Sequence, residues 1–480
     1  MDTSIIGREG EIGILDRLLA SKEAEMLAIY GRRRVGKTFL IKTHYKEHIV
    51  FSATGQYNAK RTTQLANFAD RLREYFPKAP SIWTPVSWQE AFQSLRTLLD
   101  TANGSKKKVL FFDELPWLDS HKSGFLSAFS YFWNDYASLR ADILVVICGS
   151  AASWIIDKVV NNKGGLHNRI TQRIRLMPFT LKETEAYLNQ RGVRLDHYQL
   201  LQLYMVMGGV PAYLKTIVRG KSAQQIIDEA CFSKDGVFAG EFGNLYSALF
   251  NNPQKHIEVI GALARKNKGL TRSEILKTAK LLTGGGISTI LNELLESGFI
   301  QKTYPFGKKE KDSLYRLSDE FSLFYFRFME KSSGHSVERD TWLAISGSPA
   351  YLSWCGYAFE NICIKHVLQI KKTLGIAGVR TVESSWYRAG TKKADGAQID
   401  LLIDRSDRSI NSCEMKFSGK PFVIDKKYAA ALENKLTVFR QETNTDKTIF
   451  TTFVTTYGVF ENEYKSRLVD SEVTMKDLFS

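Results

Sequence analysis

The sequence has few of the features that mark secreted, fibrous or membrane-spanning chains. Its 480 residues include only five cysteines, an odd number scattered without a CxxC pair, so neither a disulfide framework nor a zinc site is expected. Ten prolines and 34 glycines exclude a collagen-like or low-complexity chain. The first residues lack the pattern of a signal peptide, and no apolar run, including residues 143–148, approaches the roughly 20 residues of a membrane span. We therefore expect a soluble, cytoplasmic protein.

Positive charge is in excess. The 66 Lys and Arg residues outnumber the 51 Asp and Glu residues, which gives a net charge of +15. The length allows roughly two to four domains, and the surplus indicates an anionic partner, either nucleic acid or a membrane surface. The cations lie in separate segments rather than in one stripe, and they favour nucleic acid, DNA in the first place, over a membrane. The main basic runs are residues 32–34, 106–108, 308–309 and 426–427.

A glycine-rich loop is the strongest motif. Residues 31–38, GRRRVGKT, fit the pattern GxxxxGK[ST] and follow an apolar strand at 25–30. Glycines let backbone N–H groups surround phosphate oxygens at the start of a helix. Lys37 is then expected to reach the β- and γ-phosphates of ATP, and Thr38 to hold Mg²⁺. The predicted nucleotide-binding residues of the loop are Gly31, Arg32, Arg33, Arg34, Val35, Gly36, Lys37 and Thr38.

Polar residues flank three further predicted strands. Asp113 and Glu114 end the strand 108–113, where they suit a Mg²⁺-organising carboxylate and a base that orients water; a simple strand-exit turn is the alternative. Ser150 follows the strand 142–149 and either senses the γ-phosphate or caps the helix from about residue 151. Arg169 precedes a strand at 172–177. It is either an arginine finger for this or a neighbouring subunit or an ordinary surface arginine.

These motifs give the N-terminal half a family resemblance. Residues 5–11 (IIGREGE), the loop GRRRVGKT, LFFDELPWL, NRIT at 168–171 and MGGVPAYL at 207–214 together resemble the archaeal-type ATPases of the AAA+ and STAND class. The resemblance implies a P-loop NTPase domain over residues 1–240, an α/β fold with a parallel sheet and a helical lid. It places Gly7, Arg8 and Glu11 near the adenine, and Gly208, Gly209 and Pro211 in the lid. Asn168 departs from the glycine that the family more often has before the finger.

The middle segment predicts a winged-helix domain over residues 250–330. Helical patterns at 253–267, 271–282 and about 284–297 precede a hairpin with Lys308 and Lys309 at its turn. In such a fold the third helix enters the major groove and the hairpin lysines touch phosphates. The predicted exposed side of this helix is not strongly basic, because it offers Ser288, Thr289, Asn292 and Glu296. A protein-docking role is therefore an equal alternative.

The C-terminal segment, residues 350–480, carries acids in a suggestive order. Glu360 lies on a predicted helix, Asp400 in a predicted strand, and Glu414 with Lys416 in the next strand, where side chains two apart share a face. The order resembles the PD-(D/E)xK nuclease superfamily, although Gln398 and Ile399 replace the usual proline. The resemblance implies an α/β restriction-endonuclease-like domain in which Asp400 and Glu414 bind Mg²⁺ and Glu360 assists the metal site. It also implies that Lys416 either activates water or stabilises the charged phosphorane. A half-buried salt bridge in an ordinary sheet is the alternative.

Two functions fit the whole chain. The first is an ATP-hydrolysing P-loop protein coupled to a DNA-binding, metal-dependent nuclease-like domain, with ATP and Mg²⁺ as cofactors. The second is an ATP-dependent regulatory switch whose C-terminal domain binds nucleic acid or protein without cleavage. A finger supplied in trans by Arg169 would require a homo-oligomer. A membrane-surface ATPase is disfavoured because the sequence has no basic amphipathic helix.

Overall fold

A computed structural model of the chain shows two compact units, Met1–Met177 and Pro178–Ser480. The residues that it describes are 4–79, 81–101, 106–150, 152–156, 158, 166, 168–250, 252–266, 268–279, 286–330, 341–390 and 396–480. All five cysteines are buried and unpaired, as expected for structural thiols. Within the described part of the chain, no helix is both long enough and apolar enough to cross a membrane.

The first unit is built on a parallel five-stranded sheet with the strand order β2-β3-β4-β1-β5. This confirms the predicted α/β fold. All six residues of β3 and all seven of β4 are buried, because helices cover both faces, and this is why these strands read as continuous apolar runs. The predicted strands 142–149 and 172–177 differ from the structure by one and two residues at one end. The strands are β1 (Glu25–Tyr30), β2 (Ile49–Thr54), β3 (Lys108–Asp113), β4 (Ile143–Gly149) and β5 (Gln172–Arg175).

Aromatic side chains fill one side of this sheet. Helix α4 presents Trp88, Phe92, Leu95 and Leu99 on one buried face at helical spacing, and the Trp88 ring lies 4.8 Å from that of Phe125. The helices of the unit are α1 (Glu9–Ala20), α2 (Lys37–His44), α3 (Arg61–Tyr75), α4 (Trp88–Thr101), α5 (Leu115–Leu118), α6 (Phe125–Asp135) and α7 (Ala152–Ile155), with a 3₁₀ turn at Ala137–Leu139.

The second unit opens with helices whose buried side chains pack in one cluster with residues from the middle and the C-terminal segments. A single buried cluster runs from Phe179 to Phe479. Thr180 and Ser222 begin two of these helices with reciprocal capping boxes, which satisfy N–H groups that a helix start leaves open. The predicted domain boundaries near residues 240 and 340 stay a prediction. The helices are α8 (Leu181–Gln190), α9 (His197–Met207), α10 (Pro211–Leu214), α11 (Ala223–Cys231) and α12 (Glu241–Ser247).

Three helices and an antiparallel hairpin follow, in the predicted order. The third helix buries Ile287, Ile290, Leu291 and Leu294, and its exposed side carries Ser288, Thr289 and Asn292. The elements are α13 (Pro253–Ala264), α14 (Arg272–Thr278), α15 (Gly286–Glu296), β6 (Ile300–Thr303), a 3₁₀ turn at Glu310–Asp312, and β7 (Leu314–Leu317); then come α16 (Glu320–Phe324), a π-helical turn at Tyr325–Met329 and α17 (Thr341–Ile345).

The C-terminal sheet has the order β12-β11-β10-β9-β8. Strands β8, β9 and β10 are antiparallel, whereas β10, β11 and β12 are parallel. The elements are α18 (Pro349–Lys365), α19 (Val367–Thr373), β8 (Thr381–Arg388), β9 (Ala397–Arg405), β10 (Ser409–Lys416), α20 (Lys426–Thr443), β11 (Thr448–Thr455), α21 (Glu463–Leu468), β12 (Ser471–Thr474) and α22 (Met475–Leu478).

His366, between α18 and α19, ties the start of α8 to the C-terminal helices. Its ring is buried. The Leu181 N–H donates to Nε2 over 3.1 Å, so Nδ1 carries the proton and donates to the Ile362 carbonyl over 2.8 Å. Burial lowers the pKa of His366 to about 4. The ring is therefore a neutral bridge between two helices that are far apart in the sequence.

Candidate functional site

The glycine-rich loop joins β1 to α2 in the geometry that a phosphate-binding loop requires. Gly31 has φ 136°, and a Cβ there would lie 2.5 Å from the Leu176 carbonyl oxygen. Gly36 caps α2 with φ 92° and without a side-chain cap, so the first N–H groups of the helix are left for a ligand. Both glycines are thus required by the backbone, and the loop ends on a helix N-terminus suited to an anion.

Lys37 is folded back into this loop. Its Nζ donates to the carbonyls of Gly31 and Arg32 over 2.9 and 2.8 Å. Burial lowers the pKa of Lys37, and the nearby charges of Glu114 and Asp113 oppose that shift. The ammonium is thus held at the mouth of the loop, where phosphate oxygens could replace the two carbonyls.

Thr38 and Asp113 meet as the sequence predicts. The Thr38 hydroxyl lies 2.9 and 3.1 Å from the two carboxylate oxygens of Asp113. A hydroxyl and a carboxylate are the oxygen donors that Mg²⁺ prefers, so this donor pair fits the ion. The pairing is set by the parallel sheet, which brings the ends of β1 and β3 to one edge.

Glu114 is held in an uncommon conformation beside Ser150. Its backbone is left-handed, with φ 46° and ψ 48°, and its Oε2 accepts hydrogen bonds from the Ser150 N–H and hydroxyl over 3.1 and 3.0 Å. Left-handed backbone costs a non-glycine residue about 1–2 kcal/mol and recurs at functional sites. Ser150 therefore contacts the candidate base, a contact that the sequence analysis did not anticipate.

Arg169 is exposed in the turn that precedes β5, and its role as a finger stays a prediction. Most of the glycine-containing loop before it, together with Ala151, lies outside the described residues. Arg8, predicted to lie near the adenine, is buried and pairs with Glu11 at 3.5 Å.

In the second unit, Glu360 of α18 faces a cation from the hairpin. The Arg316 guanidinium of β7 donates to Glu360 Oε2 over 3.0 Å and stacks 4.6 Å from the Tyr357 ring centroid. Burial, followed by the negative charge of Asp400, raises the pKa of Glu360 to about 7, while Arg316 opposes the shift. Glu360 and Asp400 are thus close enough to influence each other.

Asp400 lies at a bulge in β9. Ser384 pairs with Leu402 and Trp386 with Ile399, so Asp400 and Leu401 together face only one residue of β8. Gln398 Nε2 donates to Asp400 Oδ1 over 2.5 Å. A bulge redirects side chains locally and is frequent beside active sites.

Glu414 of β10 is buried and already has partners. Tyr428 donates its hydroxyl to Oε2 over 2.7 Å, and Lys435 donates to Oε1. The Lys416 ammonium lies 3.8 Å from Oε2. Cys413 pairs with Leu401 across the antiparallel strands β10 and β9. Glu414 follows Cys413 and Asp400 precedes Leu401, so the two acids occupy neighbouring positions on adjacent strands. The predicted group is therefore gathered at one place in the sheet.

The three predicted carboxylates do not form a ready metal cluster. Among the described residues, no three His, Cys, Asp or Glu side chains lie in an arrangement that could hold a metal ion. Arg316 and Lys435 instead neutralise Glu360 and Glu414. The chemistry of the donors suits Mg²⁺, but binding would require these cations to move, so the ligand set stays a prediction.

Comparison with known proteins identifies the N-terminal part. Residues 5–217 match the family described as an ATPase domain predominantly from Archaea. Residues 5–217 are an archaeal-type ATPase domain. The Walker-type ATPase PABY2304 of Pyrococcus abyssi is similar in fold, with a TM-score of 0.52 and 17% identity over 68% of this chain and 96% of that one. The uncharacterized protein MJECL04 of Methanocaldococcus jannaschii is 23% identical over 417 residues, covering 86% of this chain and 87% of that protein.

The predicted lid glycines of this ATPase domain have a structural task. Gly208 ends α9 with φ 58° and ψ −168°, a conformation that is essentially restricted to glycine. A Cβ on Gly209 would lie 1.8 Å from the Phe179 carbonyl oxygen, and the Phe179 N–H donates to the Gly209 carbonyl. Pro211 begins α10. The motif MGGVPAYL thus fixes a tight junction between two helices.

Sequence reasoning missed three partners of the C-terminal acids, namely Arg316, Tyr428 and Lys435. Tyr428 and Lys435 are seven residues apart on α20 and so share one helix face, a spacing that could have been noticed. Arg316 had no such signal, because it comes from the hairpin, 44 residues before Glu360.

Proposed function

We propose that the protein binds ATP with Mg²⁺ at residues 31–38 and hydrolyses it. The contact between Thr38 and Asp113, at 2.9 Å, carries this proposal. Bound Mg²⁺ would be held by these two side chains and would supply positive charge against the phosphate oxygens. Lys37 would exchange its two carbonyl partners for phosphate oxygens, and Glu114 would leave Ser150 to orient the attacking water.

Substitution of Lys37 tests this assignment. Lys37→Ala should abolish ATP turnover, measured as released phosphate, because it removes the ammonium that the structure places at the mouth of the loop. Lys42→Ala removes an exposed lysine from the same helix and should leave turnover unchanged. Normal hydrolysis by the Lys37 variant would rule out the site.

We further propose that residues 350–480 act on nucleic acid as a metal-dependent phosphodiesterase. The convergence of Asp400, Glu414 and Lys416 supports this proposal. The two carboxylates would hold Mg²⁺, which would activate water and stabilise phosphate charge. Lys416 would stabilise the charge that develops on the phosphate, and ATP hydrolysis in the first unit would switch the activity if the two states differ in ATP affinity.

A second candidate is a nucleic-acid or protein-binding switch that does not cut. The cations already paired with Glu360 and Glu414 favour it. A neutralised carboxylate is a poor metal ligand.

Cleavage assays separate the two candidates. Wild-type protein should nick DNA with Mg²⁺ or Mn²⁺, with and without ATP, whereas Asp400→Asn and Lys416→Ala should not. Lys420→Ala, at an exposed position four residues after Lys416, is the matched control. Equal background cleavage by all four proteins would leave the binding switch.

A further inference from the structure

A cleft of about 560 Å³ opens between the β6–β7 hairpin and strands β8 and β9. Arg316, Gln398 and Asp400 line it from the site described above, whereas Lys308 and Tyr387 line it from the hairpin and from β8. The hairpin therefore forms one wall of the space beside the carboxylates, and a ligand in this space would lie next to Asp400.

The two walls are fixed to each other. The Phe306 N–H donates to the Ser385 carbonyl over 2.7 Å, and Pro305 forms a parallel bridge with the same residue. The Phe306 ring packs 5.3 Å from Phe439 of α20. Backbone and aromatic contacts thus hold the hairpin against the edge strand, so the cleft exists before any ligand arrives.

We propose that this cleft binds single-stranded DNA and excludes an intact duplex, an inference that rests on the proposed action on nucleic acid. Its volume of about 560 Å³ is that of a pocket for one small molecule, which suits one or two nucleotides of a single strand. A duplex is normally engaged over about 1,000 Å² or more of protein surface, so it would lie across the mouth of such a cleft rather than inside it.

An exposed aromatic ring supports a strand as the occupant. Tyr387 is 48% exposed, and Lys268 Nζ lies 4.1 Å from its ring centroid. Single-stranded DNA binds by stacking bases on such rings, with nearby cations contacting the backbone. Tyr387 offers the stacking surface. Lys268, in the turn before α14, and Lys308, in the hairpin, offer the cations.

The charge of the lining argues against a duplex. Glu383 and Glu442 line the cleft and pair with Lys371 at 2.9 Å and Arg388 at 3.5 Å. Duplex binding draws on several cations that contact phosphates without competing acids. Here stacking must contribute more than charge, so a weak dependence on salt is expected.

Fluorescence anisotropy tests the proposal with the full-length protein in EDTA, which prevents metal-dependent cleavage. The probes are a labelled single-stranded DNA 12-mer, its RNA counterpart and the blunt DNA duplex of the same sequence. The DNA strand should bind at least about tenfold more tightly than the duplex, and Tyr387→Ala should weaken strand binding by roughly 5- to 100-fold, as expected for one lost stacking contact. Tyr387→Phe keeps the ring and should bind normally. Tyr131→Ala, which removes a 58% exposed ring from α6, is the matched control.

Equal affinity for strand and duplex, a preference for the RNA strand, or unchanged binding by Tyr387→Ala in a normally folded protein would overturn the inference. The proposed nuclease is judged separately, by cleavage with Mn²⁺. Tyr387-dependent strand binding without cleavage would retain the cleft and reject the nuclease. If a duplex were cleaved equally well by wild type and Tyr387→Ala, the nuclease would be retained and the cleft would be rejected.

Discussion

The buried imidazole of His366 should make the second unit sensitive to acid. Its pKa falls from 6.5 to about 4 on folding because burial opposes the charged form. A depressed pKa means that the unfolded chain binds the proton first, so stability is intact at pH 8 and is lost as the pH falls below 6.5. Between pH 6.5 and pH 5 the loss is about 1.4 kcal/mol per pH unit, or about 2 kcal/mol in total.

The measurement compares wild type with His366→Gln at pH 8 and pH 5. Unfolding in urea is monitored by hydrogen exchange of peptides from α18, which reports the free energy of opening of this part of the unit. At pH 8 the wild type should be more stable by about 1–3 kcal/mol, because glutamine cannot reproduce both hydrogen bonds. At pH 5 that advantage should shrink by about 2 kcal/mol.

Leu368→Gln serves as the control, since this half-exposed position lies two residues away and carries no titratable group. Its stability relative to wild type should be the same at both pH values. If the difference between wild type and His366→Gln were also independent of pH, the ring would not be a neutral bridge, and the reasoning would be refuted.

Three further outcomes follow from the contacts above. Glu114→Gln should keep ATP binding but lower turnover by about 10²- to 10⁴-fold, measured by nucleotide binding and phosphate release. Gly209→Ala should lower the free energy of unfolding by at least about 2 kcal/mol, whereas Gly243→Ala, which meets nothing within 4 Å, should be neutral or slightly stabilising in thermal unfolding. Arg316→Met should lower the free energy of unfolding by about 3 kcal/mol at pH 8 and by less at pH 6, because at pH 6 the Glu360 carboxyl takes up a proton. An equal loss of stability at both pH values would contradict the pairing.

The ATPase domain could be predicted from the sequence because its sequence patterns are local. A strand buried on both faces must be apolar throughout, as in residues 108–113, and a phosphate loop needs its glycines at fixed spacing. The Thr38–Asp113 contact follows from the rule that parallel strand ends share an edge. By contrast, the hydrogen bonds from Ser150 to Glu114 depend on the left-handed backbone at position 114. No residue pattern indicates that backbone conformation.

The C-terminal site could be predicted only in part from the sequence. The order Glu360, Asp400, Glu414 and Lys416 predicted which side chains gather, and the structure brings them to one region. The bulge at Asp400 was hidden, because β9 is apolar on both faces around it. Ile399 and Leu402 pack in one buried cluster, whereas Leu401 and Ile403 pack in another, so the sequence has no alternation that an extra residue would visibly interrupt. The approach of Arg316 is a long-range consequence of how the hairpin packs, and local sequence does not record it.

The bridge from Pro305 and Phe306 to Ser385 has a consequence for solubility. Strand β8 is the last strand of its sheet, and uncovered edge strands tend to pair with other chains. Val382 and Tyr387 on that strand are 60% and 48% exposed. A fragment cut after the hairpin would leave the backbone of β8 near Ser385 unpaired beside these apolar groups, so it should aggregate more readily than the intact chain.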